Sequence, residues 1–376
     1  MVALSFLISA ADAPIWNAAW AVARDAGLSV IESDALCRLG MFDYLGGRLT
    51  RATQRFNEAL GVATTADDGR AQAWALQHLA WVSTTVGDFR TADDALGRAA
   101  RLFAVQHDRM GRAWVRSSAA FARLLAGRLR EAERLAEAFR PFGEQVGDTW
   151  AVGLLRSVSA YAKAELGEMT ESDALARKGY RDFDRIDDDW GRGFALVVRA
   201  SIARDLGEIE HALELVTEAE GYGHKTSHPL LTGMARTLRG HCLLGLGDTA
   251  AAETTAKSIL SLAEPHDVLE PVRVGPIALM AESRAAQGDL ATATRWFADI
   301  AIHYRSPALL YPRRRVVARY AQLLLEAGDV AAARTWVARA AEASGEDLAS
   351  GRLVEQVRSA VEAASGEYGR RSPALS

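Results

Sequence analysis

Stretches of about sixteen residues with apolar side chains at helical spacing alternate along this chain with short polar breaks. Glycine punctuates the breaks at a fixed interval: Gly47, Gly87, Gly127, Gly167, Gly207, Gly247, Gly288 and Gly328. The gaps are 40 residues, with a single 41, and 31 glycines scattered over 376 residues would not fall this way by chance. The pattern is an internal repeat. Seven residues before each glycine stands a small residue: Gly40, Ala80, Ala120, Ala160, Ala200, Gly240, Ala281 and Ala321. Five residues after it stands another: Ala52, Ala92, Ala132, Ser172, Ala212, Ala252, Ala293 and Ala333. Small residues on two successive helices let their backbones approach closely. The glycine between them suits a helix end that turns into a left-handed conformation. Asp88, Glu168, Glu208, Asp248, Asp289 and Asp329 follow six of the eight glycines. An acid there favours the positive end of the next helix.

Each unit therefore reads as helix A, a tight turn and helix B; in the second unit these fall at about 71–86 and 89–104. Polar, Gly-, Asp-, Pro- and Ser-rich connectors join the units, among them Thr64–Gly69, Val105–Gly111, Glu144–Thr149, Arg185–Asp189 and Gly221–His228. Glu264–Val268, Ser306–Leu309 and Ser344–Ser350 continue the series. One such hairpin cannot bury its apolar face, but stacked neighbours can. The expectation is an all-α, right-handed α-solenoid of about eight helix-turn-helix repeats, forming a single unit over 1–366. Repeats occupy about 31–342, an N-terminal helix 12–26, a capping helix 351–365 and a flexible tail 367–376.

The small residue, the glycine and the following small residue, spaced seven and five apart, resemble the tetratricopeptide repeat. The resemblance covers about 31–342. The units are longer than that family's usual ones. The family's Tyr four residues before the glycine is replaced by Asp43, Ser83, Arg123, Lys163, Ala203, Leu243, Arg284 and Leu324. Gly147–Trp150 ("GDTW") and Asp188–Gly191 ("DDWG"), opening A helices, are similar to the repeat domains of large LuxR-type and maltose-activator-type bacterial regulators. That resemblance implies a scaffold that binds a ligand or partner and passes a signal on.

Two stripes follow from aligning the A helices on their glycines. The aromatic one holds Trp74, Trp81, Trp114, Phe121, Trp150, Leu154, Tyr161, Trp190 and Phe194. A spacing of seven puts paired members on one helix side. They suit packing between neighbouring A helices or a concave apolar groove for a hydrophobic ligand or amphipathic helix. The family resemblance implies groove positions at Trp74, Gln77, Trp81 and Thr84 in the second unit. Equivalent positions in later units are Trp114, Ser117, Phe121 and Leu124; Leu154, Ser157, Tyr161 and Ala164; Phe194, Val197, Ser201 and Arg204; and Met234, Thr237, His241 and Leu244. The basic stripe holds Arg116, Arg123, Arg156, Lys163, Arg199, Arg236 and Arg239, then Arg284. It suits carboxylates or phosphates, which a guanidinium binds bidentately, or it is a solvated face paired with nearby acids. Burying several arginines is costly, which favours a helix rotated so that the basic band faces the groove with the aromatics behind it. Tyr311–Arg315, with Arg313, Arg314 and Arg315, starts the last A helix and would attract anions there.

Composition agrees: 72 of 376 residues are Ala and only 9 are Pro, which favours helix over a β-sandwich or collagen. The net charge of −4 argues against a global field for nucleic acid. Cys37 and Cys242 sit in apolar helical pattern and read as buried thiols. The apolar start, Met1–Ala11, has no basic residue ahead of it, so it reads as helix and not a secretory signal. No 18-residue apolar run is present, so no membrane span is expected and the cytoplasm is the expected location. Gly221–Thr226 lacks the phosphate-loop spacing. His224 and His228 read as surface histidines without metal-site partners, and His241 and Cys242 point about 100° apart. No cofactor, metal or catalytic signature emerges. The expected function is a non-catalytic, regulatory scaffold binding a protein segment or peptide, acidic if the basic stripe is used. The alternative is a small-molecule sensor with its ligand among Trp81, Trp114, Phe121 and Tyr161.

Overall fold

A computed structural model describes residues 13–263, 270–303, 312–343 and 346–371. Met1–Ala11, the connectors Glu264–Val268 and Ser306–Leu309, and residues 372–376 of the expected tail lie outside the described residues. Eighteen helices and no strand occur among the described residues. They form eight A–B pairs, one around each repeat glycine. The pairs are α2 (Ser29–Leu45) with α3 (Leu49–Thr65), α4 (Gly69–Thr85) with α5 (Phe89–Val105), and α6 (Arg109–Leu125) with α7 (Leu129–Val146). Next come α8 (Thr149–Glu165) with α9 (Met169–Arg185), α10 (Asp189–Asp205) with α11 (Ile209–Lys225), and α12 (Pro229–Gly245) with α13 (Thr249–Ala263). The last are α14 (Glu270–Ala286) with α15 (Leu290–His303), and α16 (Arg313–Glu326) with α17 (Val330–Glu342). Flanking them are α1 (Ala13–Asp25) and α18 (Leu348–Arg371). The last helix runs on to Arg371, over positions expected in the tail. No helix among the described residues is long and apolar enough to cross a membrane.

The repeat is finer than glycine alone suggests. From α2 to α6 each helix has 17 residues, and a three-residue turn follows it. As far as α12, the connectors from B to A are therefore as short as those from A to B, not longer loops. Gly27, Gly47, Gly87, Gly127, Gly147, Gly167, Gly207 and Gly247 take positive φ at the turns, and Asp67, His107, Asp187 and Ser227 do so without glycine. Both kinds of turn close alike: the Asp88 N–H donates to the Ser83 carbonyl at 2.8 Å, and the Asp68 N–H to the Ala63 carbonyl at 2.9 Å. Gly221–Thr226, which reads as a loop in sequence, is instead the last turn of α11 and its cap.

The small residues lie where the two helices of a pair cross. Ala80, Ala120, Ala160 and Ala200 are buried, as are Ala52, Ala92, Ala132 and Ala212. Phenylalanines of the B helices fill the gaps between pairs. A Cβ on Gly191 of α10 would stand 2.0 Å from the Phe183 ring of α9, so only glycine fits there.

The acids after the turns cap the next helices, but only where the side chain is short. Asp88, Asp248, Asp289 and Asp329 each accept from a backbone N–H three residues on. Glu168 and Glu208 make no such bond. A second series with the same 40-residue period caps the A helices: Asp68, Asp108, Asp148, Asp188 and His228 accept from Ala71, Gly111, Ala151, Gly191 and Leu231.

Candidate functional site

The aromatic faces of the A helices meet one another along the axis of the array, where helices of distant pairs come into contact. Tyr44 of α2 lies edge-on to His228 at the start of α12, with ring centroids 5.8 Å apart. Trp81 of α4 meets Trp190 of α10 at 5.7 Å. Trp114 and Trp150 stack at 4.1 Å and 8°, and Trp190 stacks on Phe194 at 5.5 Å and 10°. Trp81, Trp114, Phe121, Tyr161 and Phe194 are buried, and Trp74 is half-buried. These rings pack against one another as a buried column. Some polar groups inside it pair locally: Ser118 Oγ accepts from both Gln77 Nε2 and Trp81 Nε1 at 3.1 Å.

The basic stripe lies on the other flank of the A helices, against the B helices, so the helix is not rotated to aim it at the axis. Its charge is balanced there by acids. Arg123 bonds Asp93 of α5 at 2.5 Å and Glu131 of α7 at 2.9 Å. Arg156 pairs with Asp182 of α9 and with Glu144 at 2.9 Å. Lys163 meets Glu133, Glu168 and Glu171 within 3.1 Å, which holds its proton more tightly than usual. Arg239 bonds Glu220 at 2.6 Å, with Arg236 3.9 Å from the same carboxylate. Arg284 reaches Glu253 at 2.9 Å. Arg116 lies over Phe139 and Phe142, and Arg199 over Tyr180, where a cation finds the ring face. For the members with acid partners the expected burial cost is thus offset pair by pair. Of the arginines opening α16, Arg313 donates to the carbonyls of Ile300 and Ala301 at the end of α15.

Two polar layers interrupt the aromatic axis. One is formed by the buried A-helix caps Asp148, Asp188 and His228. Burial lifts the Asp188 carboxyl to about 6, and Asp148 also lies above its ordinary value for that reason. His228 is not a surface residue: it is buried, and burial lowers it to about 4, so it is neutral near pH 7. The other layer joins the ends of α8, α10 and α12. Arg204 bonds Asp205 at 2.7 Å and lies 3.2 Å from His241 Nδ1. Burial lifts the nearby Glu165 to about 7, with Asp205 adding to the effect. Cys37 and Cys242 are buried free thiols. No metal-binding cluster of His, Cys, Asp and Glu occurs among the described residues.

At one mouth of the column, α4, α5, α6, α10 and α12 surround a cavity of about 50 Å³. Thr84, Thr85, Phe121, Trp190, Phe194 and His228 form its wall. Phe89, Leu125, Leu230 and Met234 line the same cavity and are only half-buried, so they form its apolar rim. The volume admits water or a short side chain, since a water needs roughly 10–15 Å³ on this measure. Ligand pockets usually run to about 300–1,000 Å³. Sequence reading places Thr84, Phe121, Phe194 and Met234 on groove positions. It misses His228, whose signal is its place in the 40-residue series of Asp caps.

No protein-family model matches the sequence, and no curated protein matches it. Among solved structures, the chain is similar to the APC/C hetero-tetramer Cut9–Hcn1, with TM-score 0.56, 14% identity, and 87% of this chain and 56% of that one covered. It is similar to a signal-transduction ATPase with a tetratricopeptide-repeat sensor from Pyrococcus horikoshii, with TM-score 0.50, 13% identity, and 94% and 56% covered. It is also similar to a Rap protein complexed with Competence and Sporulation Factor, with TM-score 0.50, 12% identity, and 70% and 77% covered. The chain thus spans little more than half the length of the first two. At these identities the likeness is one of fold.

Proposed function

We propose, from the tetratricopeptide-repeat-type solenoid that this chain forms, that it is a non-catalytic scaffold binding a peptide or protein segment at the mouth of its aromatic axis. The observation that carries the reading is the rim of Phe89, Leu125, Leu230 and Met234. Three helices bring these half-buried apolar side chains to one cavity, which suits an apolar anchor of a bound segment. A regulatory role is supported by the Rap protein's complex with a factor and by the ATPase's repeat sensor. Pairing of the basic stripe within the molecule favours partner contact at the rim over contact along the stripe.

The test is selection of binders from a random peptide library on the purified chain, followed by calorimetry. Saturable one-to-one binding that weakens on the order of tenfold in Leu125→Ser or Leu230→Ser supports the reading. Failure to enrich any binding peptide, or binders indifferent to both rim changes, contradicts it.

A further inference from the structure

One part of the basic stripe escapes the pairing that occupies the rest. Arg109, Arg112 and Arg116 stand on successive turns of α6, and none of the three side chains makes an ion pair among the described residues. Their guanidinium groups gather instead over the rings of α7. Arg109 lies 5.9 Å, Arg112 5.3 Å and Arg116 4.2 Å from the centroid of Phe142. Arg116 is also 5.3 Å from the centroid of Phe139. A ring face attracts a cation, but it carries no net charge to cancel one.

The acids nearest in sequence are committed elsewhere. Asp108 bonds Arg70 at 2.7 Å and caps the Gly111 N–H at 2.8 Å. Glu144 bonds Arg140 at 3.1 Å and Arg156 at 2.9 Å. Burial, and then the charge of Arg112, push the Arg116 guanidinium below its ordinary value, and no acid opposes them. Arg199, the other stripe member held over a ring, differs: Asp173 and Glu218 stand near enough to act on its charge.

Three cations around one ring, without counter-charge, make a local positive field despite the chain's net charge of −4. Arg109 is exposed, and Arg112 and Arg116 are half-buried, so all three keep surface open to a ligand. Contact with the rings also restrains their long side chains, which lowers the entropy lost when a ligand orders them. The charges are strung along a helix, at rises of about 4.5 Å and about 6 Å, and not gathered on one loop. That spacing suits several carboxylates in series over a single phosphoryl group. Acids three or four residues apart on a partner helix have the same spacing, and each carboxylate can take a guanidinium fork.

We propose that Arg109, Arg112 and Arg116 form a docking row for an acidic helical peptide segment with Asp or Glu on successive turns. The row is separate from the apolar rim. Arg109 and Leu125 stand at opposite ends of α6, about 24 Å apart at 1.5 Å per residue, so either reading can fail alone.

The probe is an alanine-based helical peptide with Glu on successive turns, titrated into the full chain by calorimetry beside a counterpart with Gln in place of each Glu. The expected result is saturable one-to-one binding of the Glu peptide alone, weakening as salt is added. Arg112→Glu should weaken it on the order of tenfold, and Arg109→Gln, a milder change at an exposed position, on the order of threefold. Arg295→Glu, an exposed reversal on α15 with the same change in net charge, should leave it intact. No binding, or binding indifferent to both α6 changes, overturns the proposal. An equal loss in Arg295→Glu overturns it too, because the attraction is then diffuse. If inorganic phosphate binds as tightly as the Glu peptide, with the same loss in Arg112→Glu, the row holds an isolated oxyanion and the proposal falls.

Discussion

At the scale of single residues, the polar groups of the axis are held in charge states that oppose one another as pH changes. Asp188 caps α10 from a buried position, and its folded value of about 6 lies above the ordinary 3.8. Between those values the folded chain binds the proton that the unfolded chain releases. Stability from this group therefore falls as pH rises through that window. Asp188→Asn keeps an acceptor at the cap and removes the titration. Relative to the native chain, it should gain stability from pH 4 to pH 8; urea melts at the two values check this, and a pH-independent difference contradicts it. His228 works the other way. Its folded value of about 4 lies below the ordinary 6.5, so the unfolded chain takes up the proton first and stability is lost as pH falls from 6.5 toward 4. His228→Asn should flatten that loss.

At the scale of elements, a 17-residue helix and a three-residue turn set the repeat, and the turn residue sets the cost. Gly247 has φ of 80° with nothing near its missing Cβ, so Gly247→Ala meets backbone strain alone and should destabilise by about 1–2 kcal/mol. Gly221 lies within α11, also with open space around it. Gly221→Ala should stabilise by about 0.5–1 kcal/mol, because the position needs no glycine. Chemical denaturation of both variants checks the contrast. The same physics explains which turns the sequence reveals. Turns from A to B are legible because glycine occupies each one. Four turns from B to A are hidden, because Asp67, His107, Asp187 and Ser227 take the left-handed conformation without it. The hidden turns look like long polar loops, although Asp68, Asp108, Asp188 and His228 cap the helices that follow them.

At the scale of the whole molecule, the repeat array is legible from glycine and alanine spacing, but its winding is not. The 40-residue period says which helices are neighbours, not that Tyr44 meets His228 or that Trp81 meets Trp190 across the axis. Nor does it show the contact between the last helix and the middle of the array, where Glu346 accepts from the Arg130 N–H at 2.6 Å and Leu348 packs near Gly167. The basic stripe is visible for the same reason the repeat is, while its compensation is not. Asp93 and Asp182, which balance Arg123 and Arg156, sit on B helices some thirty residues away in sequence. The spacing of the aromatic stripe likewise does not show that Trp81, Trp114, Phe121, Tyr161 and Phe194 are buried. The proposed partner surface is the apolar rim around the His228 cavity.

Hydrogen exchange of the full chain with and without a library-selected peptide tests that account most directly. The account predicts added protection concentrated at the end of α4, the start of α5, the end of α6 and the first turns of α12, the elements that carry the rim and the cavity. Protection confined to the outward faces of the B helices, with those elements unchanged, would contradict it.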